Sequence, residues 1–294
     1  AESGRALDQR PDLLGRPGLN TLRFHTTYEV DKTAFQELQR ISQSLGLESI
    51  KKGDQQFRAK GSVPIDTETE FHFLGNKFSV DNSFKATTKL GLKDLEGNLK
   101  WVRDARRMAD WVLISVHCHE SGVHRDEPPT FLSDFAKLCI DNGADAFIGH
   151  GPHVTRGIEI YKGKPIFYSL GNFVFQNETV RWQPAYNYET ANLSAEATPA
   201  DFYDARSDND TRHFPSDPLY WESVVAECSF SKGNPKTITL HPIELGHGLP
   251  RSQRGRPIAA REHIATKILQ RVQALSRPFG TTIEINDNVG TIHI

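Results

Sequence analysis

An α/β fold built on parallel strands is what this sequence predicts, and three observations carry the prediction. Trp111–Val116 and Ala146–Gly149 are short apolar runs of the kind expected for strands covered on both faces. A helix fits between them from Pro129 to Asn142, with Leu132, Phe135, Leu138 and Cys139 three or four apart and Gly143 as a stop signal. Each apolar run ends at a pair of histidines, in His117-Cys118-His119-Glu120 and in His150-Gly151-Pro152-His153. Strand, helix and strand in this order form a right-handed crossover between parallel strands, so both carboxyl-end loops open on one edge of the sheet. Ligands of open α/β sheets gather at that edge.

The remaining elements follow in order. Residues 1 to 20 are polar and rich in Gly, Pro and Arg, and read as an extended arm with a turn at Arg16-Pro17-Gly18. An amphipathic helix fits Lys32 to Leu45, with Phe35, Leu38, Ile41 and Leu45 on one side and Gly46 where a left-handed cap is wanted. Residues 51 to 90 mix charge with aromatic alternation, as in Glu70-Phe71-His72-Phe73-Leu74, and suggest one or two strands among long loops. A helix from Leu92 to Ala109 leads into the first site strand. Beyond the second histidine pair, Gly157–Tyr161 and Pro165–Tyr168 form a hairpin across Lys162-Gly163-Lys164. Residues 176 to 220 show no period and read as one long loop. Strands resume at Ser223–Phe230 and Lys236–Ile243, a helix covers Ile258 to Ser276, and a last hairpin spans Thr281 to Ile294. One domain over 1–294 is the expectation from length, since a chain of this size forms a single large α/β core.

Four imidazoles and a carboxylate at one sheet edge make a metal site the leading chemical reading. Neutral imidazole is a borderline donor and carboxylate a hard one, a combination suited to zinc, manganese or iron. His117, His119, His150 and His153 are the candidate ligands, and Glu120 is the candidate catalytic carboxylate, ligating or orienting an imidazole. Strand alternation turns Cys118 away from its two histidine neighbours, which makes it a small buried side chain. His124, followed by Arg125-Asp126-Glu127, reads as surface. Arg156 and Asn172 fall on the substrate side: Arg156 for bidentate binding of an anionic group, Asn172 to pin the site loops by bonding backbone groups.

Composition excludes several classes. Charge is nearly balanced, 35 basic against 37 acidic residues, with no basic stripe interleaved with aromatics, so nucleic acid is not an expected partner. The three cysteines are odd in number and far apart, which implies no disulfide framework. No stretch approaches the eighteen or so apolar residues of a membrane span, and no signal peptide is visible in the residues given. The compartment is left undetermined by these observations.

At the histidine clusters the chain resembles the CapA family of poly-γ-glutamate capsule synthesis proteins, within the calcineurin-like metallophosphoesterase superfamily. The residues that carry the resemblance are His117 to Glu120, Asn142 to Val154, Gly157 to Tyr161, Lys164 to Ile166 and Tyr168 to Phe173, an ordered set over 117 to 176. The resemblance implies a layered α/β sandwich of metallophosphoesterase type and divalent metal ions, two in the complete protein. His117 or His119 would take one ligand role and His150 with His153 another. It implies an anionic polymer or a phosphoester as substrate, and capsule-synthesis proteins as partners. The pattern also departs from the family. Such proteins open with a strand ending in an acidic ligand, a Gly-Asp motif and an Asn-His pair, and neither Gly53-Asp54 nor Asp81-Asn82 matches them convincingly. His150 and His153 are three apart where many phosphoesterases place them two apart. The expectation is therefore the carboxyl-terminal part of a longer protein, lacking the strands with the early metal motifs. Two functions follow: a metallophosphoesterase-like hydrolase in capsule production, if the complete protein carries the full site, or a non-catalytic polymer-binding or assembly component that keeps a partial metal site.

Overall fold

A computed structural model describes residues 4–231 and 234–294. It is a mixed α/β structure of seven α-helices and thirteen strands among the described residues. The chain divides into two compact units, with the boundary after Asn98. Length bounds the size of a core but does not say how many cores form.

Residues 4 to 19, expected as an extended arm, double back on themselves. Leu7 and Arg16 exchange backbone hydrogen bonds of 2.8 and 2.9 Å, and Arg10 and Leu13 pair at the tip. The first unit then continues through β1 (Phe24–Val30), α1 (Lys32–Ser44), α2 (Leu47–Phe57), β2 (Glu70–Phe73), β3 (Asn76–Val80) and β4 (Lys85–Leu90), into the start of α3 (Leu92–Met108). Its four strands are ordered β2-β3-β1-β4, with β1 parallel to β3 and antiparallel to β4. Asp31 caps α1 by accepting from the Ala34 amide at 2.8 Å, and Phe35 of the helix packs with Val30 and Phe71 of the sheet. Helix α2 falls largely in the stretch expected as strands among long loops. It buries no side chain, so no apolar stripe announces it.

The second unit holds the rest of α3, then β5 (Leu113–His117), α4 (Thr130–Asp141), β6 (Ala146–His150), β7 (Ile158–Tyr161), β8 (Lys164–Phe167), α5 (Ala185–Thr190), α6 (Pro199–Ser207), β9 (Glu222–Ser231), β10 (Asn234–Glu244), β11 (Ile258–Ala259), α7 (Glu262–Ser276), β12 (Glu284–Asn286) and β13 (Val289–His293). One sheet is ordered β5-β6-β8-β7, with β5, β6 and β8 parallel. The other is β11-β10-β13-β12, with β9 also on β10. Helix α4 covers one face of the first sheet, with Phe135 edge-on to Phe147 at 6.1 Å between centroids. The opposite face joins the second sheet and α7 in one core, where Ile158, Phe167, Val224, Ile238, Leu240, Ile268, Leu269 and Ile292 are buried together and Ile148 packs against them. This layering is an α/β sandwich. Asp145 ties its entrance: it is buried, accepts from the Val112 amide at 2.9 Å, and pairs with both Arg106 and Lys164. Burial alone would raise its pKa, yet the Lys164 and Val112 hydrogen bonds outweigh that and hold it below the ordinary value.

Among the described residues no helix is long and apolar enough to cross a membrane. The 176–220 region, read as one loop, contains α5, α6 and three short 3-10 turns. Helix α6 starts at a capping box, with Thr198 and Asp201 bonding each other's backbone amides and Pro199 at the first turn.

Candidate metal centre

Strands β5 and β6 pair in register so that His117 stands opposite His150, both at the carboxyl ends of parallel strands. Two glycines let main chains approach closely at these strand ends, Gly151 against the loop after β5 and Gly149 against the end of β8. A Cβ on Gly149 would fall 2.4 Å from the Tyr168 carbonyl oxygen, and one on Gly151, whose φ is +116°, would fall 2.7 Å from the Cys118 carbonyl oxygen. Any side chain there would force the strand ends apart.

Three imidazoles converge above these glycines. His117 Nε2 and His119 Nε2 are 3.0 Å apart, and the His119 and His153 ring centroids are 5.6 Å apart. Desolvation holds the His117 imidazole below its usual pKa, and His119, His153 and His150 act in the same direction. At neutral pH His117 is therefore an uncharged donor.

His153 is fixed by Asn172. The Asn172 Nδ2 group donates to the carbonyls of Tyr220 at 2.9 Å and His153 at 3.2 Å, which leaves Oδ1 to face His153 Nδ1 at 2.8 Å. Oδ1 accepts only, so Nδ1 carries the proton and Nε2 keeps its lone pair. That is the arrangement of a metal-ligating imidazole whose other nitrogen is tied to a second residue. His153 also holds a left-handed backbone, φ +61°, which a non-glycine residue keeps only when its surroundings over-determine it. Phe175 and Phe214 wall its ring at centroid distances of 5.8 and 5.7 Å.

The other candidate residues are placed as follows. The Glu120 carboxylate accepts from Cys118 Sγ at 3.2 Å, so its observed partner is the thiol beneath it. Cys118 is buried on the side opposite its histidine neighbours. Desolvation, with Glu120 adding to it, pushes its pKa up to about 12, which makes it a neutral thiol and no nucleophile. Arg156, expected on the substrate side for an anionic group, lies buried. It is 1% exposed, and its guanidinium donates to the backbone carbonyls of Glu120 and Arg125, so it shapes the loop after His119 from below. Its Nη1 is buried without a hydrogen-bond partner among the described residues.

Residues that the sequence pattern did not single out brace the 176–221 segment that carries Phe214. Arg125 donates to Asp217 at 2.6 Å and stacks on Tyr220 at 4.6 Å, while Trp221 Nε1 holds the Phe214 carbonyl at 2.8 Å. Arg254, 5% exposed, donates to Asp210 at 2.8 Å and Glu178 at 2.7 Å, and Arg251 donates to Asp204 at 2.7 Å. The one advance signal was the crowding of Asn, Asp and aromatics between 176 and 220.

As they stand, no group of three or more His, Cys, Asp and Glu side chains among the described residues is arranged to hold a metal ion. The donor chemistry nonetheless suits one: a neutral His117, a His119 nitrogen beside it, and a His153 whose Nε2 lone pair is exposed by its bond to Asn172.

A family model of the bacterial capsule synthesis protein PGA_cap matches residues 18 to 177, more than half of the chain, with both histidine pairs inside the match. The chain belongs to this family. Membership reaches about a hundred residues upstream of the motifs that carry the resemblance in the sequence. The uncharacterized protein y4sH of Sinorhizobium fredii is 34% identical over 304 residues, covering 99% of this chain and 61% of the relative. This chain therefore spans about three fifths of that relative. Over shorter stretches, the PGA biosynthesis protein CapA of Bacillus subtilis is 38% identical across 88 residues, 30% of this chain and 23% of its own length. The capsule biosynthesis protein CapA of Bacillus anthracis is 41% identical across 73 residues, 25% of this chain and 17% of its own.

Proposed function

We propose that this chain carries the histidine half of a divalent-metal site that acts on phosphoesters or on an acidic polymer during capsule or poly-γ-glutamate synthesis. The observation that carries the reading is His153. Its Nδ1 proton is committed to Asn172, which leaves the Nε2 lone pair free on a ring 5.6 Å from that of His119, itself beside His117. His117, His119, His150 and His153 would hold manganese, iron or zinc, and Asn172 would set the orientation of His153. When bound, such a cation lowers the pKa of a coordinated water and polarises a phosphoryl oxygen. The chain's own contribution is to present uncharged imidazoles, to keep the Cys118 thiol out of the chemistry, and to wall one side with Phe175 and Phe214.

A second reading, a non-catalytic polymer-binding or assembly component, has its own support in the absence of a closed set of three donors among the described residues. Elemental analysis of the purified chain, together with hydrolysis of bis(p-nitrophenyl) phosphate with and without manganese, separates the two. Bound metal that is lost in His119→Ala and His153→Ala, and turnover that depends on manganese, support the first. A metal-free, inactive chain that still binds polymer sinks it in favour of the second.

A further inference from the structure

The segment after Gln176 holds chemistry that the metal-site reading leaves unused. Arg206 lies in the last turn of α6. Its Nη2 is 3.3 Å from His213 Nε2, and its guanidinium carbon is 5.6 Å from the centroid of the Phe214 ring. Phe214 stands edge-on to His153 at 5.7 Å, so a single aromatic ring separates this cation from the imidazole of the candidate centre.

Arg206 differs from the arginines that hold the segment in place. Arg125 is matched to Asp217, Arg251 to Asp204, and Arg254 to Glu178 and Asp210. Arg206 is exposed and, among the described residues, has an imidazole and an aromatic ring for neighbours and no carboxylate. A guanidinium always donates, so His213 Nε2 accepts and its ring serves as a prop that orients the fork. His213 reaches that position through a strained backbone, φ +62° and ψ −150°, a region that residues with a side chain rarely adopt. Trp221 on the Phe214 carbonyl and His247 on the Pro215 carbonyl keep the backbone there. Strain held in place by neighbouring contacts, beside an oriented cation with no counter-charge, is what an anion-binding position needs.

We propose that Arg206, oriented by His213 and seated on Phe214, binds an oxyanion of the substrate at the mouth of the histidine centre. The shared chemistry is a bidentate acceptor, either the phosphoryl group of a phosphoester or a carboxylate of a glutamate polymer. This rests on the histidine cluster being the substrate site. Arg206 is the binding residue and His213 is a positioning residue.

The test is calorimetric titration of the full chain, without added metal, with inorganic phosphate in one arm and tri-γ-glutamate in the other. Arg206→Ala should weaken the preferred anion by about tenfold to a hundredfold, the span expected for one charge-assisted bidentate contact. Arg206→Lys should restore part of that loss. His213→Ala should give a smaller loss, and His213→Gln, which keeps an acceptor, should recover it. Arg40→Ala, an exposed arginine of α1, should change nothing. The arm that responds identifies the oxyanion. Unchanged affinity in Arg206→Ala, or an equal loss in Arg40→Ala, overturns the proposal. Metal content of the same variants, measured separately, should stay at the wild-type level. A chain that binds anion through Arg206 yet never takes metal would defeat the metal reading alone.

Discussion

The two sides of the candidate centre are built in different ways. The floor, from His117 to Glu120 and His150 to His153, is placed by backbone: parallel strand pairing in register, and two glycines that let main chains touch. The wall, from Gln176 to Tyr220, is placed by side chains reaching across long stretches of sequence, Arg254 to Glu178 and Asp210, Arg251 to Asp204 and Arg125 to Asp217. A floor set by steric contact resists small changes until it fails altogether. A wall set by ion pairs can be loosened one bond at a time.

The largest expected effect breaks the floor. Gly151→Ala places a methyl group 2.7 Å from the Cys118 carbonyl at a backbone angle that alanine avoids, so β5 and β6 must separate at their carboxyl ends. A loss of about 3 kcal/mol or more in chemical denaturation is expected. Stability within about 1 kcal/mol of wild type would show that the two loops are less tightly joined than the geometry demands.

Next comes Arg254→Ala, which leaves Glu178 and Asp210 facing a hole where a buried cation stood. Removing one partner of a largely buried pair costs about 3 kcal/mol, here concentrated in the wall. Hydrogen exchange should rise across 176–220 and stay unchanged in β5 and β6. A uniform rise over both would mean that floor and wall open as one cooperative unit.

The smallest effect is acid loosening of the wall. The Arg254 hydrogen bond holds Asp210 below its ordinary 3.8, against the opposing pull of burial. For Asp217 burial is the largest influence and acts upward, but the Arg125 and Leu219 hydrogen bonds prevail and the net shift is downward. Each carboxylate thus stabilises the fold fully above its unfolded pKa and loses that contribution as pH falls through its depressed folded value. Proteolytic nicking in 176–220 should be flat from neutral pH to about pH 5 and should rise only below the ordinary 3.8, with an acid-active protease as probe. A rise already at pH 6 would assign the opening to histidines.

The same contrast explains what the sequence made legible. Helix α1, the β5-α4-β6 unit, the β7-β8 hairpin and the β9-β10 pair announce themselves because each buries a periodic stripe or an unbroken apolar run. The histidine pairs stood out because local spacing and strand ends placed them. The burial of Arg156 is not legible, because a guanidinium beside a histidine motif looks the same in sequence whether it faces solvent or lies under carbonyls. Arg206, Arg254 and Phe214 went unseen because their partners lie across turns that follow no period. Helix α6 carried one readable sign, Thr198-Pro199-Ala200-Asp201, inside a region dominated by breakers. The division after Asn98 left no mark, since it falls inside a continuous helical pattern.

The sulfur of Cys118, lodged between two imidazole-bearing residues yet turned to the interior, has a consequence for durability. Peroxides and electrophiles attack thiolates, and this sulfur stays protonated at any pH a cell maintains. Oxidants and electrophiles that work through a thiolate therefore find no handle at this position while the fold is intact.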